Sequence, residues 1–424
     1  MHSQGPVSLR FLNAALLLVL AACTFCPLSP AQNDKEKTET NLFELLPFDQ
    51  WASEGPREQM RWSTSASYVG LSNHQRLVAH FEISVDGHEL TRRGFKGQII
   101  ALVKVIDSAG NTYLDDNKVE LNTLKPEAKH FDYVQSWDAF VLPGEYRVEM
   151  ALYHTETKEH NFGRHKLRVP VLKEDGLPGA WNGLPAVEFW APLQPQDVDT
   201  MFRPDIDGRL HLPLATGRPV HLELLADVSP SNLFRGSEAR YDQYLHALIP
   251  TVKTFSQIEM GGGDLDVATL DIVQKRVTFE QRVVKNLNWP RLKQALKETA
   301  PGMVSVQSLQ TRDPRPVFLR DELARRISLA SSAKPGDPLL VFIIVGSPLN
   351  SYSFAGLEGD ALTKDCHCRV YYLEYDPALL RDRVSAITQV KRMLRPIKIQ
   401  AFSVGSAEET RHVLAKILKE VAAL

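Results

Sequence analysis

The chain has 424 residues, with 49 basic side chains against 51 acidic ones and a formal net charge of −2. That balance excludes an electrostatic nucleic-acid binder, and the length gives room for two or three domains with cores of their own. Four cysteines, two of them within the first 26 residues, exclude a disulfide scaffold.

Residues 1–31 have the form of an export signal. Arg10 flanks an apolar run over residues 11–22, which is too short to span a bilayer as a mature helix. Leu20-Ala21-Ala22-Cys23 resembles a bacterial lipobox, which implies lipidation of Cys23 and a lipid anchor as the attachment to a membrane. A cut after Ser29-Pro30-Ala31 would instead release a soluble chain. Either route exports the protein, to the periplasm and cell envelope if anchored and as a secreted product otherwise. Residues 32–41 are polar with charges of both signs and read as a linker.

Residues 42–173 are β-patterned. Leu77, Ala79, Phe81, Ile83 and Val85 alternate with His80, Glu82 and Ser84, as a strand with one buried face requires. A second strand over 99–106 stops at the turn Asp107-Ser108-Ala109-Gly110-Asn111. Tyr146, Val148, Met150 and Leu152 mark a third, and a fourth lies near 165–171. Short strands at this spacing, without a long helical pattern between them, predict an all-β sandwich. Leu142-Pro143-Gly144-Glu145-Tyr146 resembles a turn of immunoglobulin-like modules in bacterial envelope proteins.

Residues 174–191 gather glycine and proline and read as a second linker. From 192 to 424 an irregular lead-in gives way to alternating strands and helices. This predicts a three-layer α/β domain with a mainly parallel, doubly wound, Rossmann-like sheet. Residues 339–345 are seven apolar side chains in a row, as a central parallel strand needs. Helical spacing over 318–330, a hairpin of 265–273 with 276–283, and strands over 369–375 and 397–404 complete the pattern. Ser406 and Glu409 form a capping-box pair ahead of a stripe of Val413, Leu414, Ile417, Leu418 and Val421.

Asp227-Val228-Ser229-Pro230-Ser231 stands where the apolar run 220–226 ends. One carboxylate and two hydroxyls are hard oxygen donors suited to Mg²⁺, Mn²⁺ or Ca²⁺, and open α/β sheets bind ligands at this end of their strands. The bland alternative is that both serines are turn and cap residues around Pro230. Cys366-His367-Cys368 alternates on a strand, so His367 points away from the two cysteines. The pair reads as two small buried side chains or as an adjacent disulfide. Phosphate-loop, dinucleotide and zinc-helix motifs are absent from the sequence.

The Asp227-x-Ser229-x-Ser231 triplet resembles the first loop of the metal-ion-dependent adhesion site of von Willebrand factor type A domains, and the order of elements is similar over the last half of the chain. The resemblance implies a cation on Asp227, Ser229 and Ser231, a threonine from a second loop, and an aspartate after the central strand. Thr311 is the nearest threonine. At the third place the chain departs from the pattern: Gly346-Ser347-Pro348 follows Val345, with no aspartate. Losing that carboxylate lowers the charge of the ligand shell. The site is then either a weak, non-selective one or a fold that has lost its metal and has no cofactor.

The whole resembles exported VWA-related proteins of the kind found in acidobacteria. That implies a non-enzymatic envelope-associated protein making contacts with a protein partner, or a purely structural metal-free scaffold. The enzyme alternative is an α/β-type hydrolase with Ser347 as nucleophile. Its surroundings lack the G-x-S-x-G elbow, and Pro348 has no N–H for an oxyanion hole.

Overall fold

A computed structural model of the chain describes residues 41–124, 130–190, 208–229, 238–299, 316–330, 338–346, 368–375, 387–395, 397 and 399–424. The chain divides into two units at residue 50, and residues 41–50 are the described part of the first. In the first, α1 (Leu42–Leu45) is capped by Asn41, whose side chain accepts from the Phe43 amide at 3.1 Å. The helix α2 (Phe48–Glu54) begins in the first unit and ends in the second.

The second unit opens with strands β1 (Trp62–Leu71) and β2 (Leu77–Val85), the short helix α3 (Gly87–Arg92), and β3 (Gln98–Ile106) to β4 (Thr112–Glu120). β5 (Tyr133–Val141), β6 (Gly144–His154), β7 (His160–Val169) and β8 (Val187–Phe189) follow. They form two antiparallel four-stranded sheets, β1-β2-β5-β8 and β4-β3-β6-β7. Phe81, Ile83 and Val85 of β2 pack in one core with Val103 and Val105 of β3 and with Val148 and Met150 of β6. Tyr146 ties the turn before β6: its hydroxyl donates to the Leu142 carbonyl at 2.7 Å and to the Ala186 carbonyl at 3.2 Å, and burial pushes it up to about 12. This is the back-bonded tyrosine often found at the corner of a β-sandwich.

Strand β9 (Leu212–Leu214) leads to β10 (Val220–Asp227), helix α4 (Glu238–Phe255), β11 (Ile258–Met260), β12 (Gly263–Asp271), β13 (Arg276–Gln281) and α5 (Trp289–Lys297). Then come α6 (Pro316–Ala330), β14 (Leu339–Gly346), β15 (Cys368–Tyr375), α7 (Ile387–Met393), β16 (Ile399–Val404) and α8 (Ala407–Ala422). Six of these strands make one sheet in the order β13-β12-β10-β14-β15-β16, with parallel neighbours except for the antiparallel edge β12-β13. β9 and β11 form a separate two-stranded parallel sheet.

Both faces of the six-stranded sheet are covered. Leu222, Leu224, Val341 and Ile343 pack with Tyr244 and Leu248 of α4 and Leu414 and Ile417 of α8. Leu225, Phe342, Ile344 and Tyr372 pack with Leu319 and Leu323 of α6 and Val390 of α7. At the start of α8 the Ser406 hydroxyl accepts from the Glu409 amide at 3.2 Å, while the Glu409 carboxylate accepts from the Gly405 amide at 2.6 Å. The carboxylate therefore reaches one residue before the cap.

The expected fold class, a mainly parallel doubly wound α/β protein preceded by an all-β immunoglobulin-like sandwich, is corrected by this architecture. Among the described residues strand (42%) outweighs helix (27%). Among the described residues seven strand pairs are antiparallel and five are parallel. The molecule is a β-rich protein of antiparallel and mixed sheets. The physical reason is connection length: a parallel neighbour needs a crossover of roughly a dozen residues or more, whereas an antiparallel one closes through a short turn. Residues 72–76 between β1 and β2, 107–111 between β3 and β4, and 272–275 between β12 and β13 are all such turns.

Candidate functional site

The parallel strands β10, β14 and β15 end side by side at Asp227, Gly346 and Glu374-Tyr375. The preceding pairs, Ala226 with Val345 and Gly346 with Glu374, fix the alignment. Leu225 of β10, Ile344 of β14 and Tyr372 of β15 lie in the core of one face. With a strand period of two, Asp227, Gly346 and Glu374 fall on that same face at the carboxyl edge of the sheet.

Asp227 is 3% exposed and is held by its own turn. Its Oδ1 accepts from the Ser229 amide at 3.0 Å and, over a short contact, from the Ser229 hydroxyl. The Ser229 Oγ in turn accepts from the Ile272 amide at 2.6 Å, which ties the loop to the end of β12. Tyr244 donates to the Asp227 carbonyl at 2.6 Å and Tyr241 to the Val228 carbonyl at 2.8 Å, so α4 fixes the backbone from behind. Asp227 Oδ2 accepts no hydrogen bond from any described residue. Burial pushes the carboxyl up to about 7, against the pull of the Ser229 hydroxyl and amide, and the nearby Asp271 carboxylate adds to the rise.

Of the residues singled out in the sequence, the structure brings Asp227, Ser229 and Gly346 together. Ser231, Thr311, Ser347, Cys366, His367 and the lipobox Cys23 lie outside the described residues. Cys368 is disulfide-bonded, and the other three cysteines are outside the described residues. Asp227 and Ser229 fit a hard cation, since both offer oxygen and one carboxylate oxygen is left without a donor. Sequence reasoning missed two acids, Asp271 and Glu374, buried at 0% and 1% exposure at the ends of β12 and β15. The available signal was a carboxylate closing an otherwise apolar strand, the same signal that marks Asp227.

A second cluster sits near the opposite end of the strands, on the α6 side. Arg326, 3% exposed, donates to Glu223 at 2.6 Å and to Glu322 at 2.8 Å. His221 lies between Glu223 and Asp264, and His221, Glu223, Asp266 and Arg326 border a cavity of about 420 Å³. A cavity of about 450 Å³ opens between the β1–β2 turn and the start of α8, lined by Asn73, His74, His246, Tyr375 and Ser406. Beside it the sandwich is clamped to α8. Arg411 donates to Asp175 at 2.6 and 2.8 Å and lies 4.6 Å from the Trp181 ring, while Gln75 donates to the Ala407 carbonyl at 3.0 Å.

No family model matches the chain, and no curated protein matches it in sequence. Among solved structures it is similar to a von Willebrand factor type A protein from Catenulispora acidiphila, at 8% identity over 50% of this chain and 47% of that one, with a TM-score of 0.28. The chain thus spans about half the length of that protein. It is also similar to the PilB minor pilin of Streptococcus sanguinis, at 8% identity over 88% and 90% of the two chains with a TM-score of 0.27. The pilus adhesin SpaC of Lactobacillus rhamnosus GG gives 9% identity, 68% and 34% coverage and a TM-score of 0.25. TM-scores this low establish no shared role, so the functional reading rests on the site itself.

Proposed function

We propose that the chain is a non-enzymatic, envelope-associated protein that makes protein–protein contacts through the carboxyl edge of its six-stranded sheet. The observation that carries this reading is the buried Asp227 carboxylate, held on one oxygen by Ser229 and bare on the other at the end of a central strand. An uncompensated polar atom in such a place costs stability and is kept where it serves binding. Support for a rigid presentation of that edge comes from the Arg411–Asp175 clamp, which holds the sandwich against α8. Export rests on the pattern of residues 1–31, with the lipid anchor at Cys23 as one outcome.

The test is capture of envelope proteins by the immobilised chain, comparing wild type with Asp227→Asn and Ser229→Ala. A partner held by wild type and lost by both folded variants is the expected result. A partner retained by both variants would move the contact surface elsewhere. Esterase or peptidase turnover abolished by Ser347→Ala would overturn the non-enzymatic reading.

A further inference from the structure

We infer that the cavity of about 420 Å³ at the amino edge of the six-stranded sheet binds a free α-amino acid with an apolar side chain, its ammonium on Asp266 and Glu280 and its carboxylate on Arg326 and Arg282. The site lies on the α6 face, at the end of the strands opposite Asp227, and stands apart from the contact reading.

Strand register assembles the walls. His221 pairs with Asp264 and Glu223 with Asp266 across β10 and β12, and Ala268 pairs with Glu280 across β12 and β13. Leu225 and Ala268 lie in the core under α6, so with a strand period of two these charged residues share that face. The apolar layer between sheet and helix therefore ends in a charged pocket, whose size falls within the ~300–1,000 Å³ of small-molecule sites. Leu329, Pro338 and Leu340 supply it with an apolar side.

Some of the charges close on one another. His221 is held by Asp264 and Glu223, Arg325 binds Glu322 at 2.6 and 2.7 Å, and Arg326 gives Nε to Glu322 and Nη1 to Glu223. What is left over has both signs. Arg326 Nη2 is buried and donates to no described residue. Asp266, 8% exposed, accepts from the Val283 amide on Oδ1 at 2.8 Å, but its Oδ2 has only the His221 ring at 3.9 Å. Glu280 meets Arg326 and Arg282 at 3.6 Å, both through Oε1.

A donor and an acceptor that the fold buries without joining cost stability, and a ligand carrying both signs satisfies the two at once. Glu280 Oε1 sits between the two guanidiniums, so the acidic and basic walls adjoin, as the ammonium and carboxylate of an amino acid adjoin on one carbon. Burial raises the Asp266 carboxyl against the pull of the Val283 amide and His221, and Glu223 and Asp264 add to the rise. A simple anion would leave that carboxylate uncompensated. A simple cation would leave Arg326 Nη2 bare.

The full chain would be titrated by calorimetry with L-leucine, and with isoamylamine and isocaproate, which are leucine without its carboxylate and without its ammonium. One L-leucine per chain is expected, with both analogues weaker by about tenfold or more, since each forgoes charge-assisted hydrogen bonds. Asp266→Asn and Arg282→Gln should each weaken L-leucine binding by a similar factor. The Arg282 side chain is 70% exposed, so its replacement tests the ligand and not the fold. Should Asp266→Asn unfold, Glu280→Gln takes its place with the same expectation. Wild type that does not bind L-leucine overturns the inference, and so does Arg282→Gln that binds it as tightly as wild type. Isoamylamine matching leucine would make the site a cation pocket and isocaproate matching it an anion pocket, and either result overturns the assignment. Partner capture reads Asp227 at the other end of the strands, so the failure of one reading leaves the other standing.

Discussion

Gly346 and Asp227 end neighbouring strands so closely that a β-carbon on the glycine would sit 2.6 Å from the β-carbon of the aspartate. The Asp227 β-carbon is fixed to its backbone and cannot rotate away, so any side chain at 346 must push β10 and β14 apart. Gly346→Ala should destabilise the chain by about 1–3 kcal/mol, the usual cost of overpacking. Urea unfolding measures this, and a variant as stable as wild type would show that the strand ends part freely.

Arg411 is almost fully buried and makes a two-pronged pair with Asp175 while lying over Trp181. Burial works to raise the Asp175 carboxyl, yet the Arg411 hydrogen bonds hold it below its ordinary range. Arg411→Met leaves that carboxylate without its cation, and removing one partner of a buried pair costs about 3–5 kcal/mol. Because the folded value is depressed, the clamp's contribution is present above the unfolded carboxylate range and is lost as pH falls through the folded one. The gap between wild type and Arg411→Met in urea should therefore shrink in acid; a gap constant with pH would mean the loss is one of packing.

His221 titrates the other way. Its hydrogen bond to Glu223 raises it against the effect of burial, and Asp264 and Asp266 add to the rise, from 6.5 to about 9. The folded chain binds this proton more tightly than the unfolded chain, so the stabilisation is complete below about pH 6.5 and is lost as pH rises through about 9. Wild type should lose more stability than His221→Gln across that window, as read from urea midpoints. Parallel curves would show that the histidine does not carry the dependence.

Arg326 anchors the same cluster, with Glu223 and Glu322 both bound to it and only 3% of its side chain exposed. Arg326→Met should cost about 3–5 kcal/mol, since it leaves the buried Glu223 carboxylate without its guanidinium while Glu322 keeps Arg325. Adding Glu223→Gln should recover part of that loss, because residues in one network are not additive. A double variant showing the full sum of the two single losses would mean that the pair is not coupled.

Much of the local structure was legible in the sequence. The alternation of Leu77 to Val85, the seven apolar residues of β14 and the Ser406/Glu409 cap are short-range patterns that a few neighbouring residues express, and the strands and helix stand where those patterns put them. β1 carried a weaker pattern: half-buried Trp62, Thr64, Ala66 and Tyr68 alternate with exposed serines, and small polar side chains blur the contrast that marks a strand. The turn at Asp227 was legible because a carboxylate closing an apolar run is itself a local event.

What tertiary structure alone decided was pairing. Which strands run antiparallel, and hence the β-rich balance of the whole, depends on how far the chain must travel between them and not on their composition. Asp227, Gly346 and Glu374 are far apart in sequence, and nothing local to any one of them names the other two as its neighbours. Only the register of three parallel strands sets a bare carboxylate oxygen, an empty glycine and a second buried acid side by side on one face. A one-residue slip of any of them would turn its end residue to the opposite face and dissolve the arrangement.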